Sequence, residues 1–298
     1  MFRMYRGEIF MFSEPLVSIA LPVFNAEKTI GAAVQSILNQ TYRRWELLIM
    51  DDGSTDASLA IVAAWDDPRI KVVAAGCNRG IAYRLNQALD ICEGEYFARM
   101  DADDICFPQR LAAQVDYMRE HPEVDLVGAN IIFFQGDGAV QGILPAKQSH
   151  EEICRRPWAG FYLAHPTMLG KRDWFRKHRY RSEYNGAEDQ NLLFRAYQSS
   201  CFACIPEVLL GYRQERRTLK KMLRGRYAFL KAVGCEAMAA KRYDVVVKNA
   251  VILLLKVVAD ILNIQFGVKS LRNPMLPADP LLLQRWHDVW LCSHSSRS

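Results

Sequence analysis

The chain has 298 residues, a formal net charge of +5, 50% hydrophobic residues and 24% charged residues. This composition excludes a disordered protein, and the length allows one large α/β domain with an appendage or two small domains. The basic residues concentrate in two runs, 171–181 and 216–226, which could face anionic lipid or diphosphate or form solvated helix faces. Neither run forms a recognisable nucleic-acid-binding module, so we expect no nucleic acid partner.

The amino terminus and the cysteines indicate the cellular compartment. Arg3, Arg6 and Glu8 interrupt the apolar first residues, which therefore lack the continuous apolar core of a signal peptide. The eight cysteines show no repeated spacing, and the C-x-x-C pair of Cys201 and Cys204 lies in an apolar run typical of a strand. We predict buried structural cysteines, a reducing compartment and hence a cytoplasmic location.

From residue 16 to residue 134 the sequence alternates between short apolar runs and helical periodicity. The predicted strands cover residues 16–21, 45–50, 70–74, 95–100 and 124–134, with a predicted helix after each of the first four. Asn25 is the expected cap of the first helix, Ser54 or Thr55 caps the second, and Pro108 stands at the start of the fourth. Strands that are apolar on both faces and alternate with helices predict an α/β fold, with a mostly parallel, Rossmann-like sheet between helices.

Polar side chains follow three of the predicted strands. Asn25 follows the first, Asp52 the second, and Asp101, Asp103 and Asp104 the fourth. Ligands of parallel sheets bind beyond the carboxyl ends of the strands, so these side chains are expected at one edge. Clustered carboxylates suit Mg²⁺ or Mn²⁺ together with the phosphate oxygens of a substrate. The alternative is a set of solvated acidic turns, in which aspartate is favoured for backbone reasons.

Several motifs occur together in one order, namely PVFN at 22–25, QTY before WEL at 40–47, DDGSTD at 51–56, NRG at 78–80 and MDADD at 100–104. Together they resemble the nucleotide-diphospho-sugar glycosyltransferases of family 2, which have the GT-A fold. The resemblance covers about residues 16–213. It implies a GT-A glycosyltransferase domain at 1–225 and leaves a helical, amphipathic C-terminal extension at 226–298.

The resemblance also implies an activity. The chain would move a hexosyl or N-acetylhexosaminyl group, with inversion, from a nucleotide-diphospho-sugar that is usually UDP-linked. The acceptor would be a saccharide or a polyprenyl-diphosphate-linked sugar, in the synthesis of cell-surface polysaccharide or glycolipid. Mg²⁺ or Mn²⁺ would be the cofactor. The alternative is a non-catalytic nucleotide-sugar-binding scaffold in a membrane assembly complex. A pyrophosphorylase is disfavoured because residues 22–29 lack its glycine-rich loop.

The donor and metal residues follow from the same resemblance. It implies donor binding by Pro22, Phe24, Asn25, Asp52, Arg84 and Asp101. Asp101 and Asp103 match the D-x-D motif of the family, and Asp103 is the better candidate for direct contact with the metal.

The remaining candidates lie after residue 160. Asp189 matches the catalytic base, since attack by a sugar hydroxyl needs a carboxylate within hydrogen-bond reach. Glu188 is a supporting residue, and both acids could instead be the acidic first turn of a helix. His165 resembles a position beside the sugar and acceptor, or is a packed loop histidine. Arg213 either neutralises diphosphate or solvates the domain edge.

Residues 243–266 are very apolar, but their longest uncharged stretch, 249–255, is far below the roughly 18 to 20 residues of a membrane span. The pattern predicts an amphipathic helix, whose polar residues share mostly one side. The helix could dock on the core, make peripheral contact with the inner face of the membrane, or mediate dimerisation. Residues 273–298 are rich in Pro and Ser, with Trp286 and Trp290 as the large anchors, and we expect a loose end.

Overall fold

The computed structural model describes residues 4–5, 8–9, 14–74, 76–214, 218–266 and 275–294. The strands are β1 Met4–Tyr5, β2 Glu8–Ile9, β3 Val17–Val23, β4 Trp45–Asp51, β5 Ile70–Ala74, β6 Tyr96–Arg99, β7 Ile105–Cys106, β8 Leu126–Phe134, β9 Val140–Leu144, β10 Leu169–Lys171 and β11 Phe202–Arg213. The helices are α1 Ile30–Leu38, α2 Ser58–Ala63, α3 Ile81–Ile91, α4 Arg110–Glu120, α5 His150–Ile153, α6 Arg172–His178, α7 Glu188–Ala196, α8 Leu219–Ala239, α9 Tyr243–Phe266 and α10 Pro280–His294.

Nine strands form one mixed sheet in the order β5-β4-β3-β6-β10-β8-β11-β7, with β9 added to β8. Strands β5, β4, β3 and β6 are mutually parallel. Strand β10 is antiparallel to both β6 and β8, so β8 and its parallel neighbour β11 run in the direction of β6. The carboxyl ends of β3, β4, β6, β8 and β11 therefore share one edge. This confirms the predicted α/β fold with a mostly parallel sheet.

Helices cover both faces of the sheet because successive strand residues point to opposite sides. Ile19 belongs to the apolar cluster formed with α1 and α4, whereas its neighbour Ala20 belongs to the cluster formed with α3, α6 and α7. All seven residues of β4 are buried. This two-sided burial is the reason that the strands appear in the sequence as continuous apolar runs.

Strand β3, the first of the predicted strands, extends two residues beyond its predicted end and includes Pro22. In register, Pro22 pairs with Met50 of β4. Its other side faces the position where β6 has ended, since the Met100 N–H donates to the carbonyl of Ala20. The absent N–H of proline therefore costs no ladder hydrogen bond.

The predicted helix caps were wrong in detail. Helix α1 begins after Thr29 instead of Asn25, because the Asn25 side chain accepts a hydrogen bond from the Thr55 N–H at 2.8 Å. Helix α2 begins after Ala57, and Ser54 is occupied as an acceptor for the Asn25 N–H at 3.0 Å. Both caps were lost because the loops after β3 and β4 bond to each other.

The predicted division after residue 225 falls inside α8, which runs without a break from Leu219 to Ala239. This helix packs on α7 through Ala232, whose carbonyl accepts a hydrogen bond from the Asn191 side chain at 3.2 Å. The helical character predicted for the extension is confirmed, whereas its independence as a domain stays a prediction.

Helix α9 docks on the core through polar contacts. The Asn249 side chain donates to the Trp158 carbonyl at 2.9 Å, and Asp260 pairs with Arg226 of α8 at 3.0 Å. The opposite face is apolar and exposed, and we name it the outer face of α9: Val247, Ala250, Val251, Leu254, Leu255, Val258, Ala259 and Leu262. Among the described residues, no helix combines the length and the apolar character needed to cross a bilayer.

Residues 280–294 form a helix that the sequence analysis did not predict, and residues 295–298, where a loose end is expected, lie outside the described residues. Helix α10 covers Pro280–His294 and buries Trp286 against the rings of Phe107 and Phe134, with ring centroids 5.9 and 4.8 Å apart. The indole N–H of Trp286 donates to the Gly138 carbonyl at 2.8 Å. The predicted anchor is therefore real, but it fixes a whole helix. Composition alone missed this helix because its stability comes from packing on the core.

Candidate active site

The loops after β3 and β4 form one hydrogen-bonded unit. Asn25 has a left-handed backbone with φ of 50°, while the neighbouring Phe24 is 50% exposed and Pro22 is partly buried. The Asp51 carboxylate closes the DDGS turn by accepting hydrogen bonds from the N–H groups of Gly53 and Ser54. Asp51 therefore closes this turn, whereas the hydrogen bonds of Asp52 go to the loop before α3.

Asp52 is buried and holds the loop before α3. Its carboxylate accepts the N–H groups of Arg79 at 2.8 Å and Gly80 at 2.9 Å, and the Nε–H of Arg84 at 2.8 Å. Arg84 is fully buried and also donates to the Cys77 carbonyl at 2.8 Å. In this geometry Arg84 supports Asp52 and presents no charge to solvent, so the donor-binding roles of both residues stay predictions.

The same loop contacts the segment that leads into α7. Gly80 has φ of 86°, and a Cβ there would lie 2.3 Å from the Asn185 side chain. That side chain also accepts the Ala82 N–H at 3.3 Å. The loop held by Asp52 and the start of α7 are therefore packed together.

Three carboxylates cluster directly after β6. Oxygens of Asp101, Asp103 and Asp104 lie within 4.8 Å of one another. Arg99, whose side chain is only 4% exposed, pairs with Asp101 through both terminal nitrogens, one at 2.7 Å. Asp104 accepts the Arg213 N–H at 2.9 Å through one oxygen, and its other oxygen is buried without a hydrogen-bond partner among the described residues.

The donor set of this cluster fits a hard divalent cation. Burial and the charge of Asp101 raise the pKa of Asp103 to about 6, and burial with the charges of Asp101 and Asp103 raises the pKa of Asp104 well above its usual range. Both shifts mean that the carboxylates lack sufficient positive charge nearby. All three residues offer oxygen ligands, which Mg²⁺ and Mn²⁺ prefer.

Arg213 lies at the carboxyl end of β11, beside the same cluster. Its Nε–H donates to the Asp103 carbonyl at 2.9 Å, and its guanidinium stacks 4.7 Å from the centre of the Phe134 ring. The prediction that it lies near the diphosphate position is compatible with this location. In the structure it holds the acidic loop through backbone contacts.

A second cluster joins His165, Glu188 and Asp189, whose ligand atoms also lie within 4.8 Å of one another. Both acids lie in the first turn of α7, as the alternative interpretation of the sequence predicts. Both also line a cavity. Glu188 accepts the Gly186 N–H at 2.6 Å, and Asp189 accepts the Gln190 side-chain amide at 3.0 Å through Oδ2. Asp189 is half-buried.

Burial governs protonation in this second cluster. Burial and the charge of Asp189 raise the pKa of Glu188 to about 7, and burial raises the pKa of Asp189 as well. Burial and the charge of Arg99 lower the pKa of His165 well below its usual range, so its imidazole is neutral at pH 7. The His165 Nε2 lies 3.0 Å from the Tyr180 hydroxyl.

One cavity of about 400 Å³ connects the two clusters, and we name it the central cavity. Asp101 lies on its wall together with His165, Glu188 and Asp189, and Arg99 stands between the two acidic groups. Asp103 is not on this wall but lies within 4.8 Å of Asp101. The residues predicted on the loops after β3 and β4 lie at neighbouring strand ends outside the cavity wall.

Sequence reasoning missed Arg99 and Gln190. Arg99 is the charged residue of an otherwise apolar buried strand, and a buried guanidinium requires carboxylate partners. This signal could have identified it. Gln190 accepts the Phe161 N–H at 2.8 Å while donating to Asp189, and nothing in its sequence position indicates that bridge.

Much of the chain is similar to known proteins. Residues 18–179 match the profile described as Glycosyl transferase family 2. The putative glycosyltransferase EpsE of Bacillus subtilis is 40% identical over 141 residues, which are 46% of this chain and 50% of that protein. The UDP-Glc:alpha-D-GlcNAc-diphosphoundecaprenol beta-1,3-glucosyltransferase WfgD of Escherichia coli is 38% identical over 122 residues, covering 41% and 45%. The aligned regions thus span about half the length of these relatives.

A solved structure shows the same fold. The mannosyltransferase PcManGT from Pyrobaculum calidifontis, in complex with GDP-Man and Mn²⁺, superposes with a TM-score of 0.61 at 17% identity. The superposition covers 95% of this chain and 86% of that chain. This likeness supports the GT-A architecture.

Proposed function

The chain belongs to glycosyl transferase family 2, and from this premise we propose its reaction and its partners. It transfers a hexosyl or N-acetylhexosaminyl group from a UDP-sugar to a saccharide or lipid-linked acceptor, with inversion, in cell-surface polysaccharide or glycolipid synthesis. The observation that carries the proposal is the central cavity, which brings Asp101 and the pair Glu188 and Asp189 to one wall.

Asp189 is the proposed catalytic base. Its Oδ2 is held by Gln190, and the carboxylate accepts the proton of the acceptor hydroxyl. As that proton leaves, the acceptor oxygen forms a bond to the anomeric carbon while the bond from this carbon to the diphosphate oxygen breaks. A single in-line displacement of this kind inverts the anomeric centre. The raised pKa of Asp189 moves it toward the operating pH, which suits a general base.

Glu188 and His165 position this base. Glu188 is buried and tied to the Gly186 N–H, and its Oε1 lies 3.8 Å from the Nδ1 of His165. A neutral His165 adds no charge to the pair, so it can fix the geometry without weakening the base. We assign the proton transfer to Asp189 because it is the more exposed of the two acids.

The leaving group departs beside the first cluster. Asp103 and Asp101 would hold Mg²⁺ or Mn²⁺, which when bound supplies positive charge against the departing diphosphate. Arg99 keeps Asp101 oriented through paired hydrogen bonds. Arg213 fixes the backbone of the acidic loop through the Asp103 carbonyl at 2.9 Å.

We further propose that the outer face of α9 contacts an anionic bilayer at the inner face of the membrane. Exposed charged side chains described on α8, α9 and their connection are five basic residues and one acid: Lys220, Arg224, Lys231, Lys241, Lys248 and Asp244. An exposed apolar face on a pair of helices with such an excess of exposed positive charge suits a negatively charged headgroup region. Such contact would place the enzyme beside a lipid-linked acceptor.

The non-catalytic scaffold is disfavoured because binding a nucleotide sugar requires only one acidic cluster. The second cluster on the same cavity is needed when a hydroxyl must lose a proton. A direct test is a panel of UDP-sugars screened by thermal shift with Mn²⁺ on the full chain. Binding to the folded state raises the unfolding temperature of the protein. If no nucleotide sugar raises it, and none is hydrolysed, the proposed function is wrong.

Metal dependence has its own test in Asp103→Ala. We expect UDP to bind about 100-fold more weakly in the presence of Mn²⁺, and both proteins to bind alike in EDTA. Asp66→Ala, at a residue that lines no described cavity, is the control. Equal Mn²⁺-dependent binding by the wild type and Asp103→Ala would remove Asp103 from the metal site.

A further inference from the structure

A second cavity of about 360 Å³ adjoins the central cavity, and we name it the side cavity. The two share three lining residues, Leu144, Pro145 and Tyr162. The other walls come from the segment around α5 and from Leu276, whose N–H and carbonyl pair with the backbone of Ile143 at 2.9 Å. A ligand in the side cavity therefore lies next to the cavity that contains the proposed base.

Three cationic side chains line the side cavity: Lys147, Arg155 and Arg156. All three are exposed, and none of their side chains forms a hydrogen bond or ion pair with the described residues. The acid on the wall, Glu152, is already engaged in the capping box of α5 with Ser149. Three cations and one acid leave a net of two positive charges facing this space.

Apolar side chains complete the wall beside these cations. Ile153, Leu144 and Leu276 line the cavity, and Tyr162 adds a ring that is 42% exposed. Surface arginines that serve only solubility have no reason to border such an apolar hollow. Their guanidinium groups present planar sets of donors that match phosphate oxygens. A ligand with an anionic group next to an apolar group would satisfy both halves of the wall.

The segment that carries these cations is fixed by contacts with helix α9. Helix α9 fixes the turn at residues 157–159 through the bond from Asn249 to the Trp158 carbonyl, and the Lys248 ammonium lies 4.8 Å from the centre of the Trp158 ring. This turn directly follows Arg156 and precedes Tyr162. The wall between the two cavities is therefore anchored to the helix with the exposed apolar face.

We propose that the side cavity binds the phosphate or diphosphate group of the acceptor, through Lys147, Arg155 and Arg156, together with the apolar group attached to that phosphate. The sugar of the acceptor then extends past Tyr162 into the central cavity, toward Asp189. That this ligand is the acceptor rests on the proposed transferase function. The binding of a diphosphate with an attached apolar group at this site does not depend on that function.

The test is calorimetry on the full chain in EDTA, with farnesyl diphosphate as the probe and inorganic pyrophosphate and farnesol for comparison. EDTA removes the divalent ions that would hold a diphosphate at the acidic cluster. We expect Arg155→Gln/Arg156→Gln to bind farnesyl diphosphate at least about tenfold more weakly than the wild type, because two charge-assisted hydrogen-bond donors are lost. Lys147→Gln should show a smaller loss.

The chain offers a matched control in Arg43 and Arg44, two adjacent exposed arginines that line neither cavity. Arg43→Gln/Arg44→Gln should bind farnesyl diphosphate as the wild type does. Equal weakening in both double variants, or no binding by the wild type, would overturn the proposal. Pyrophosphate binding as tight as that of farnesyl diphosphate would overturn its apolar half and indicate a soluble phosphorylated ligand.

The same preparations separate this inference from the proposed function. Thermal shift with UDP-sugars and Mn²⁺ should be identical in the wild type and in Arg155→Gln/Arg156→Gln, which also shows that the variant is folded. If the wild type fails to bind any UDP-sugar but binds farnesyl diphosphate through the two arginines, the proposed function falls and the site stands. The opposite pattern removes the site alone.

Discussion

The central cavity and the outer face of α9 depart from the usual distribution of side chains in opposite ways. At the cavity, charged groups are buried: Arg99 is 3% exposed and Glu188 6%. On α9, large apolar side chains are exposed, with Leu254 at 65% and Leu255 at 59%. Ionised groups are rarely buried unless paired, and a large apolar patch is rarely exposed without a partner.

Different binding partners would lower the free energy of the two regions. The buried acids lack positive charge, so a cation or a cationic neighbour lowers their free energy. The exposed leucines lack an apolar neighbour, so a surface that removes them from water does the same. Residues in unfavourable environments therefore identify the missing partner by its chemistry. The catalytic proposal and the bilayer proposal both depend on this principle.

The largest expected effect concerns the base. Asp189→Asn should reduce sugar transfer by about 10²- to 10⁴-fold, because the amide cannot accept the proton of the attacking hydroxyl. Donor binding measured by calorimetry should change little. Asp173→Asn, at an exposed acid in the first turn of α6, is the matched control. Transfer at more than half of the wild-type rate would show that Asp189 is not the base.

The next largest effect is expected at α10, the helix of the extension that buries its apolar face. Trp286→Ala should destabilise the protein by about 3–5 kcal/mol, because it removes a buried ring between Phe107 and Phe134. Chemical denaturation of the full chain measures the free energy of unfolding. Leu281→Ala on the same helix, where Leu281 is 71% exposed, should stay within about 0.5 kcal/mol. Similar values for both variants would contradict the docking of α10.

A third prediction concerns the buried acids. The pKa of Glu188 is raised from 4.5 to about 7, so the folded state binds this proton more tightly than the unfolded state. The resulting stability is fully present below about pH 4.5 and is lost as the pH rises through about 7. Glu188→Gln mimics the protonated acid and should therefore stabilise the metal-free protein by about 1–3 kcal/mol at pH 8, with little effect at pH 4.5.

Denaturation curves at the two pH values measure this difference. Glu183→Gln, at an exposed residue just before α7, is the control and should change stability equally at both. If the substitution Glu188→Gln does not stabilise the protein more at pH 8 than at pH 4.5, burial does not raise the pKa of Glu188.

The smallest effect on stability is expected at the outer face of α9. Each of Leu254→Ser and Leu255→Ser should change the free energy of unfolding by no more than about 0.5 kcal/mol, because the side chains already lie in water. The double variant should nevertheless bind at least about tenfold less to phosphatidylglycerol-containing vesicles in sedimentation assays, since it loses apolar area that the bilayer would cover. Leu281→Ser on α10 is the control. Unchanged vesicle binding by the α9 variant would rule out this face.

Much of the core could be predicted because its strands are local in sequence and apolar on both faces. The strand at Ile70–Ala74 was predicted to the residue, and the position of Asp101 after β6 followed from the strand end. The helix caps failed because Asn25 and Ser54 are close in space but separated by 29 positions in the chain. Helix-capping propensity depends on a residue and its neighbours in the sequence. It contains no information about a contact between residues that are distant in the chain.

The sequence by itself determined the order of strands and helices from β3 to β6, the family, and the acids that follow β6, because periodicity and motif spacing are properties of the chain alone. Only the tertiary structure decided that Arg99 stands between two acidic clusters, that Asp52 is saturated by the loop before α3, and that α9 turns its polar side inward. These outcomes depend on which groups compete for the same hydrogen-bond partners, and that competition exists only after distant segments have packed together.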